Sequence, residues 1–147
     1  MEDYLLIALH LMCATIFIGI VAFEVLILEG IRPYLPAQYM QRVETGIHTR
    51  AKKIMPWVVA LLYVTGFTMA IHHFKQLDWA PFESSFGIIL SVKILFVTSV
   101  LIHFVLAMKH SICGTMSSNR FRYTHLSVFL HMIVIVLLAK GMYHISW

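Results

Sequence analysis

The sequence predicts an all-α integral membrane protein, folded as an antiparallel four-helix bundle, and three observations predict it. Apolar residues make up 60% of the 147 and charged residues only 12%, against roughly 45–50% and about 25% in a soluble domain. That balance excludes a soluble globule and a disordered chain. The apolar residues fall in four runs, each near the ~20 residues that a helix needs to cross a hydrocarbon core ~30 Å thick. Finally, backbone polar groups in lipid must be satisfied within the segment, and short connections between spans make neighbouring helices antiparallel. A length of 147 residues corresponds to a single transmembrane domain, at about 150 residues per domain.

The spans follow in order. Span 1, residues 4–28, is uncharged from Tyr4 to Phe23, passes Glu24, and breaks at Glu29-Gly30 before Arg32-Pro33. Its N-terminal flank is Glu2-Asp3 rather than basic, and its apolar stretch is about twice a signal-peptide core, so it is expected to stay in the mature chain. Span 2, residues 54–74, follows a polar stretch, 38–53, that is expected to be helical. Pro56 stands near the start of span 2, where a proline disturbs a helix least, and the span ends in His72-His73. Span 3, residues 86–108, is apolar except for Lys93 and His103, and span 4 covers 123–143. Thr15-xxx-Gly19 and Gly66-xxx-Ala70 are spaced to let helices approach closely.

Charge sets the expected orientation. Four spans put the termini and the loop 75–85 on one face and the loops 29–53 and 109–122 on the other. The second face holds Arg32, Arg42, Arg50, Lys52, Lys53, Lys109, Arg120 and Arg122, eight of the eleven basic residues. The positive-inside rule then places both termini outside the cytoplasm, in a multi-pass protein of the cytoplasmic (inner) membrane. The net charge of +4 is read as membrane-orienting, with no nucleic-acid partner. Cys13 and Cys113, one in an apolar run and one in a basic loop, are not expected to form a disulfide. The chain has no CxxC pair, phosphate loop, HExxH or GxSxG, which removes the common motif-borne hydrolases and nucleotide enzymes.

Function is expected where ionisable groups enter lipid, since each costs on the order of 3 kcal/mol and should meet a partner, a cavity or a cofactor. His10 lies roughly 9 Å below the outer end of span 1 and Lys93 about 10 Å below it on span 3, with His72 and His73 at the same end. Together they form an outer cluster. Glu24, His103, His125 and His131 form an inner one. Imidazoles from two helices at matching depth suit a six-coordinate haem iron in a bundle: His10 with His72 or His73, and His103 with His131 or His125. The structural alternative for any one histidine is a hydrogen bond to a carbonyl across helices. Lys93 can snorkel to the headgroups or pair with an anionic group such as a propionate or quinone oxygen. Glu24 can snorkel inward, or face the bundle, because it shares a helical face with His10. The nine methionines, with Met12-Cys13, Met108 near Cys113 and Met116, and His131-Met132, admit a Cu(I) path, though methionine is also ordinary apolar filler.

His10 early in span 1, Arg50-Ala51-Lys52-Lys53-Ile54-Met55-Pro56-Trp57 opening span 2, Thr65-Gly66 within it, and Lys93 ten residues before His103 together resemble the HemJ/CopD-like membrane proteins, the membrane protoporphyrinogen oxidase and copper-resistance D group. The resemblance implies a b-type haem at His10, with Lys93 in the functional centre. The arrangement is also similar to four-helix dihaem b-type cytochromes that exchange electrons with quinones or superoxide. The leading expectation is therefore a haem b redox protein with one or two haems, possible as a haem-dependent oxidoreductase of a quinol or porphyrinogen. Copper handling by His, Met and Cys is the alternative, and an accessory subunit with purely structural polar residues is the third. Expected partners are membrane lipid, a hydrophobic redox substrate, and a second copy or a redox protein.

Overall fold

The computed structural model describes residues 2–114 and 118–145, with the side chains of residues 2, 3 and 118–120 left aside. Met116 lies outside the described residues. The chain is all-α, and among those residues no strand occurs. Four helices are long and apolar enough to cross a membrane. Helix α1 is Glu2–Ala22; a π-helical segment, Phe23–Leu28, and a short helix α2, Glu29–Ile31, continue it. A 3-10 turn at Arg32–Tyr34 leads to α3, Ala37–Gln76, and a second turn, Pro81–Glu83, leads to α4, Ser85–Ile112. Helix α5 is Ser118–Gly141.

The apolar surface faces outward. In the most apolar window of each span, between 28% (the first) and 11% (the last) of the residues are buried. Leu5, Leu26, Trp57, Phe67, Leu95 and Leu137 are all more than 60% exposed. A soluble monomer does not display such surface, whereas hydrocarbon solvates it without cost. The protein is a membrane protein on this ground.

Two compact units divide the chain, Met1–Gly66 and Phe67–Trp147, and the division falls within α3. In the first unit, α1 buries one stripe, Cys13, Phe17, Val21, Glu24 and Leu28, at the three- and four-residue spacing of a helical face. The stripe continues through the π-helical segment, whose wider turn changes the phase of the residues after it. The connection 29–53 is almost wholly helical, not a loop. At about 1.5 Å per residue, the 40 residues of α3 span roughly 60 Å, twice the hydrocarbon thickness. Residues 37–53 are therefore a polar helix continuous with the span. Pro56 sits mid-helix, removing only the bond that residue 56 would give to the carbonyl of residue 52. Arg32 closes the corner between α2 and α3, donating from Nε and Nη2 to Glu29 at 3.0 and 2.7 Å and also to Glu44.

In the second unit, α4 packs directly on α5, and the turn Pro81–Glu83 covers the start of α4. Ser84 caps α4, its hydroxyl accepting from the Gly87 N–H at 3.1 Å. Gly87 admits that turn: a Cβ there would lie 2.2 Å from the carbonyl oxygen of Pro81. At the other end of α4, Gly114 takes φ +67°, the left-handed cap that glycine adopts without strain. The helical ends reduce the expected connection 109–122 to residues 113–117, of which 115–117 are outside the described residues.

Candidate histidine sites

In the first unit, the imidazole of His10 is held by α3. Thr65 donates its one hydroxyl proton back to the carbonyls of its own helix, Leu61 at 2.7 Å and Leu62 at 3.1 Å. Its oxygen therefore accepts from His10 Nδ1–H, 2.9 Å away. In the neutral ring one nitrogen carries the proton, so this bond leaves the lone pair on Nε2. The next residue shapes the seat: a Cβ at Gly66 would lie 2.9 Å from His10 Cε1, closer than real Cβ contacts come. Thr65-Gly66 is thus a docking surface for one ring, with the threonine fixing its tautomer and the glycine leaving room for its edge. Gly66 of the expected Gly66-xxx-Ala70 pair makes its close approach to an imidazole. Gly19 of the other pair is exposed, and an added Cβ there would meet nothing within 4 Å among the described residues.

In the second unit, α4 and α5 build a reciprocal arrangement from the same local spacing. His103 donates Nδ1–H to the carbonyl of Ser99, four residues earlier, at 2.7 Å. His131 does the same to Ser127 at 2.7 Å. Each serine hydroxyl then meets the Nε2 of the histidine on the other helix, Ser99 to His131 at 3.1 Å and Ser127 to His103 at 3.3 Å. The rings stand 5.5 Å apart at 51°, and Phe96 meets His131 edge-on at 5.5 Å. Of the two partners expected for His103, the neighbouring ring is that of His131. His125 donates Nδ1–H to the Phe121 carbonyl at 2.9 Å, and its ring lies 3.9 Å from that of Phe121.

The remaining candidates separate. His72 is exposed, with Nε2 3.1 Å from the Gln76 amide nitrogen. His73 meets Phe86 edge-on at 5.2 Å, and Phe86 meets Tyr143 at 5.7 Å, an aromatic cluster at that end of the unit. Lys93 is half-buried on α4. Glu24 is 3% exposed in the π-helical segment, so the reading that puts it on the inward face with His10 describes its position and snorkelling does not. Met12 is 64% exposed while Cys13 is buried, so these neighbours face different surroundings.

Metal-bound histidines commonly donate their other ring N–H to a carbonyl or a carboxylate, which fixes the tautomer. His103, His125 and His131 have the Nδ1–H form of that arrangement, each to a backbone carbonyl, whereas His10 donates to the Thr65 hydroxyl. They differ in what Nε2 meets. At His103 and His131 the gap between the helices is bridged by single hydroxyls, and the rings stand 5.5 Å apart. This pair as placed is a hydrogen-bonded link between helices, and its serines would have to leave before an iron could enter. The His10 ring is oriented by α3 through Nδ1. Among the described residues, no three His, Cys, Asp or Glu side chains gather to hold a metal ion. Neither Ser99 nor Ser127 is among the residues that the sequence singles out. The signal was present: Ser-x-x-x-His occurs in both α4 and α5.

No protein-family model, curated protein or solved structure matches the chain.

Proposed function

We propose that the protein is a haem b redox protein of the cytoplasmic membrane, with His10 as an axial ligand and a hydrophobic substrate such as a quinol or porphyrinogen. One observation carries this reading: the His10 imidazole is set by Thr65 and seated on Gly66 in the tautomer that puts the lone pair on Nε2. That fits the donor chemistry of a haem ligand. The likeness to HemJ/CopD-like proteins at His10, Thr65-Gly66 and Lys93 supports it independently. A bound haem would supply one-electron chemistry at its iron. The chain supplies the rest: α3 orients the ligand, the apolar spans exclude water, and Lys93, half-buried on α4, offers an ammonium to an anionic group. In this reading one haem binds per chain, and the serine-linked His103 and His131 hold α4 to α5. Both termini lie outside the cytoplasm, as the eight basic residues of the opposite face require.

The test is the absorption spectrum and pyridine-haemochrome content of the detergent-purified protein. A Soret band with about one haem b per chain is expected, lost or converted to high spin in His10→Ala. Thr65→Val should keep haem but shift its spectrum, because Nδ1–H loses its acceptor. A colourless protein that binds Cu(I) would favour the copper reading instead. Two haems per chain, one of them lost in His103→Ala, would restore the two-site arrangement.

A further inference from the structure

The first unit contains a cavity of about 330 Å³ where the π-helical segment faces the polar part of α3. Ile20 and Phe23 form one side and Ile47, Ile54 and Met55 the other, and nearly all of the wall is carbon. Three features set it apart from a chance groove on a lipid-facing surface. It coincides with the π turn, a deviation from α-helix that is frequent at functional sites. It reaches Gly46, a helix-interior glycine where a Cβ would meet nothing within 4 Å, although glycine there weakens a helix by roughly 1 kcal/mol relative to alanine. Its rim carries Arg50, and Lys53 lies three residues further on, on the same face. Both are exposed, and neither makes an ion pair among the described residues, whereas Arg32 is taken by Glu29 and Glu44.

We propose that this cavity is a binding site for an anionic phospholipid of the surrounding bilayer. One acyl chain lies between the π-helical segment and α3 against Phe23, Ile47, Ile54 and Met55, and the phosphate is held by Arg50 and Lys53. The charge argues for this occupant: two cations without partners stand four residues and one residue before the apolar stretch that opens at Ile54, the level of a headgroup. Juxtamembrane cations attract anionic lipid. The carbon-lined interior, which Gly46 leaves unobstructed, matches a hydrocarbon chain. Glu24, itself buried, also lines the cavity.

The test uses the purified full chain in detergent, with lipid retention read by native mass spectrometry for phosphatidylglycerol and phosphatidylcholine of identical chains. The expected result is one retained lipid, with phosphatidylglycerol favoured on the order of tenfold. Arg50→Gln with Lys53→Gln should abolish that preference and leave weak, headgroup-blind retention. Gly46→Leu, which fills the cavity and strengthens the helix, should lose retention of both lipids with circular dichroism unchanged. Equal retention of the two lipids by the parent protein, or parent-like retention by the folded Gly46→Leu protein, would overturn the proposal.

Discussion

At the scale of single residues, the distinction that matters is which nitrogen of each imidazole is committed. A histidine at helix position i whose Nδ1–H reaches the carbonyl at i−4 is fixed by its own helix, and His103, His125 and His131 all do this. The local bond leaves Nε2 to be decided by whatever the tertiary structure brings, and at His103 and His131 it brings serine hydroxyls. Polar bonds between membrane helices average about 0.6 kcal/mol by double-mutant cycles. Ser99→Ala and Ser127→Ala should therefore each weaken the α4–α5 pairing by about that amount. Coupling between Ser99→Ala and His131→Phe should account for most of the Ser99 effect. Reversible unfolding in mixed micelles measures it, and a cycle with no coupling would remove the cross-link from the account. The serines also make a simple point about reading sequences. Their i, i+4 spacing to the histidines is visible in one dimension, but that two such pairs answer each other is not.

At the scale of elements, the corner between α2 and α3 sets how a membrane span passes into a polar helix. The chain must turn from Ile31 to Ala37, and Pro33 and Pro36 prevent one helix from running through. Arg32 then ties Glu29 on one side to Glu44 on the other, so charge joins the two helical segments. The three side chains are partly exposed, which limits the value of the pair. Arg32→Ala should lower stability by up to about 1 kcal/mol, and Glu44→Gln by less, because the bidentate bond to Glu29 remains. Raising salt should shrink the difference between parent and Arg32→Ala proteins in denaturant titrations. A difference that persists at 1 M salt would mean that packing, not charge, holds the corner.

At the scale of the whole molecule, orientation is the property that charge alone should fix. Eight of the eleven basic residues flank the ends of the spans that are expected to be cytoplasmic, and reversing the protein would carry them across the bilayer. A cysteine replacing His144, in Cys-free background, should react with an impermeant maleimide in intact cells. One replacing Arg42 should react only after permeabilisation. The opposite pattern would invert the topology and with it the leaflet assigned to the lipid site.

The sequence by itself determined the solvent of this protein and the class of its fold. Uncharged runs of ~20 residues have one stable form in hydrocarbon, the helix, because no water is available to satisfy the backbone. The same reasoning predicts four spans, and four helices long and apolar enough to cross a membrane occur among the described residues, though the second is one 40-residue helix that begins at Ala37. Helical phase leaves Glu24 to snorkel or to face the bundle, and its burial decides between them. Tertiary structure decided the rest. The stretch 29–53 is polar, with a helix expected at 38–53, and only the structure shows the corner tied by Arg32 and the helix running unbroken into span 2. Thr65-Gly66 is a pair of small residues in one dimension and the seat of His10 in three, since nothing in a helix's own periodicity says which side chain of another helix will arrive there. His103 could meet either His125 or His131 by depth, and only helix packing selects. Depth along a span follows from residue count at a fixed rise, whereas the azimuth of one helix against another follows from packing and from the hydrogen bonds that close once they meet.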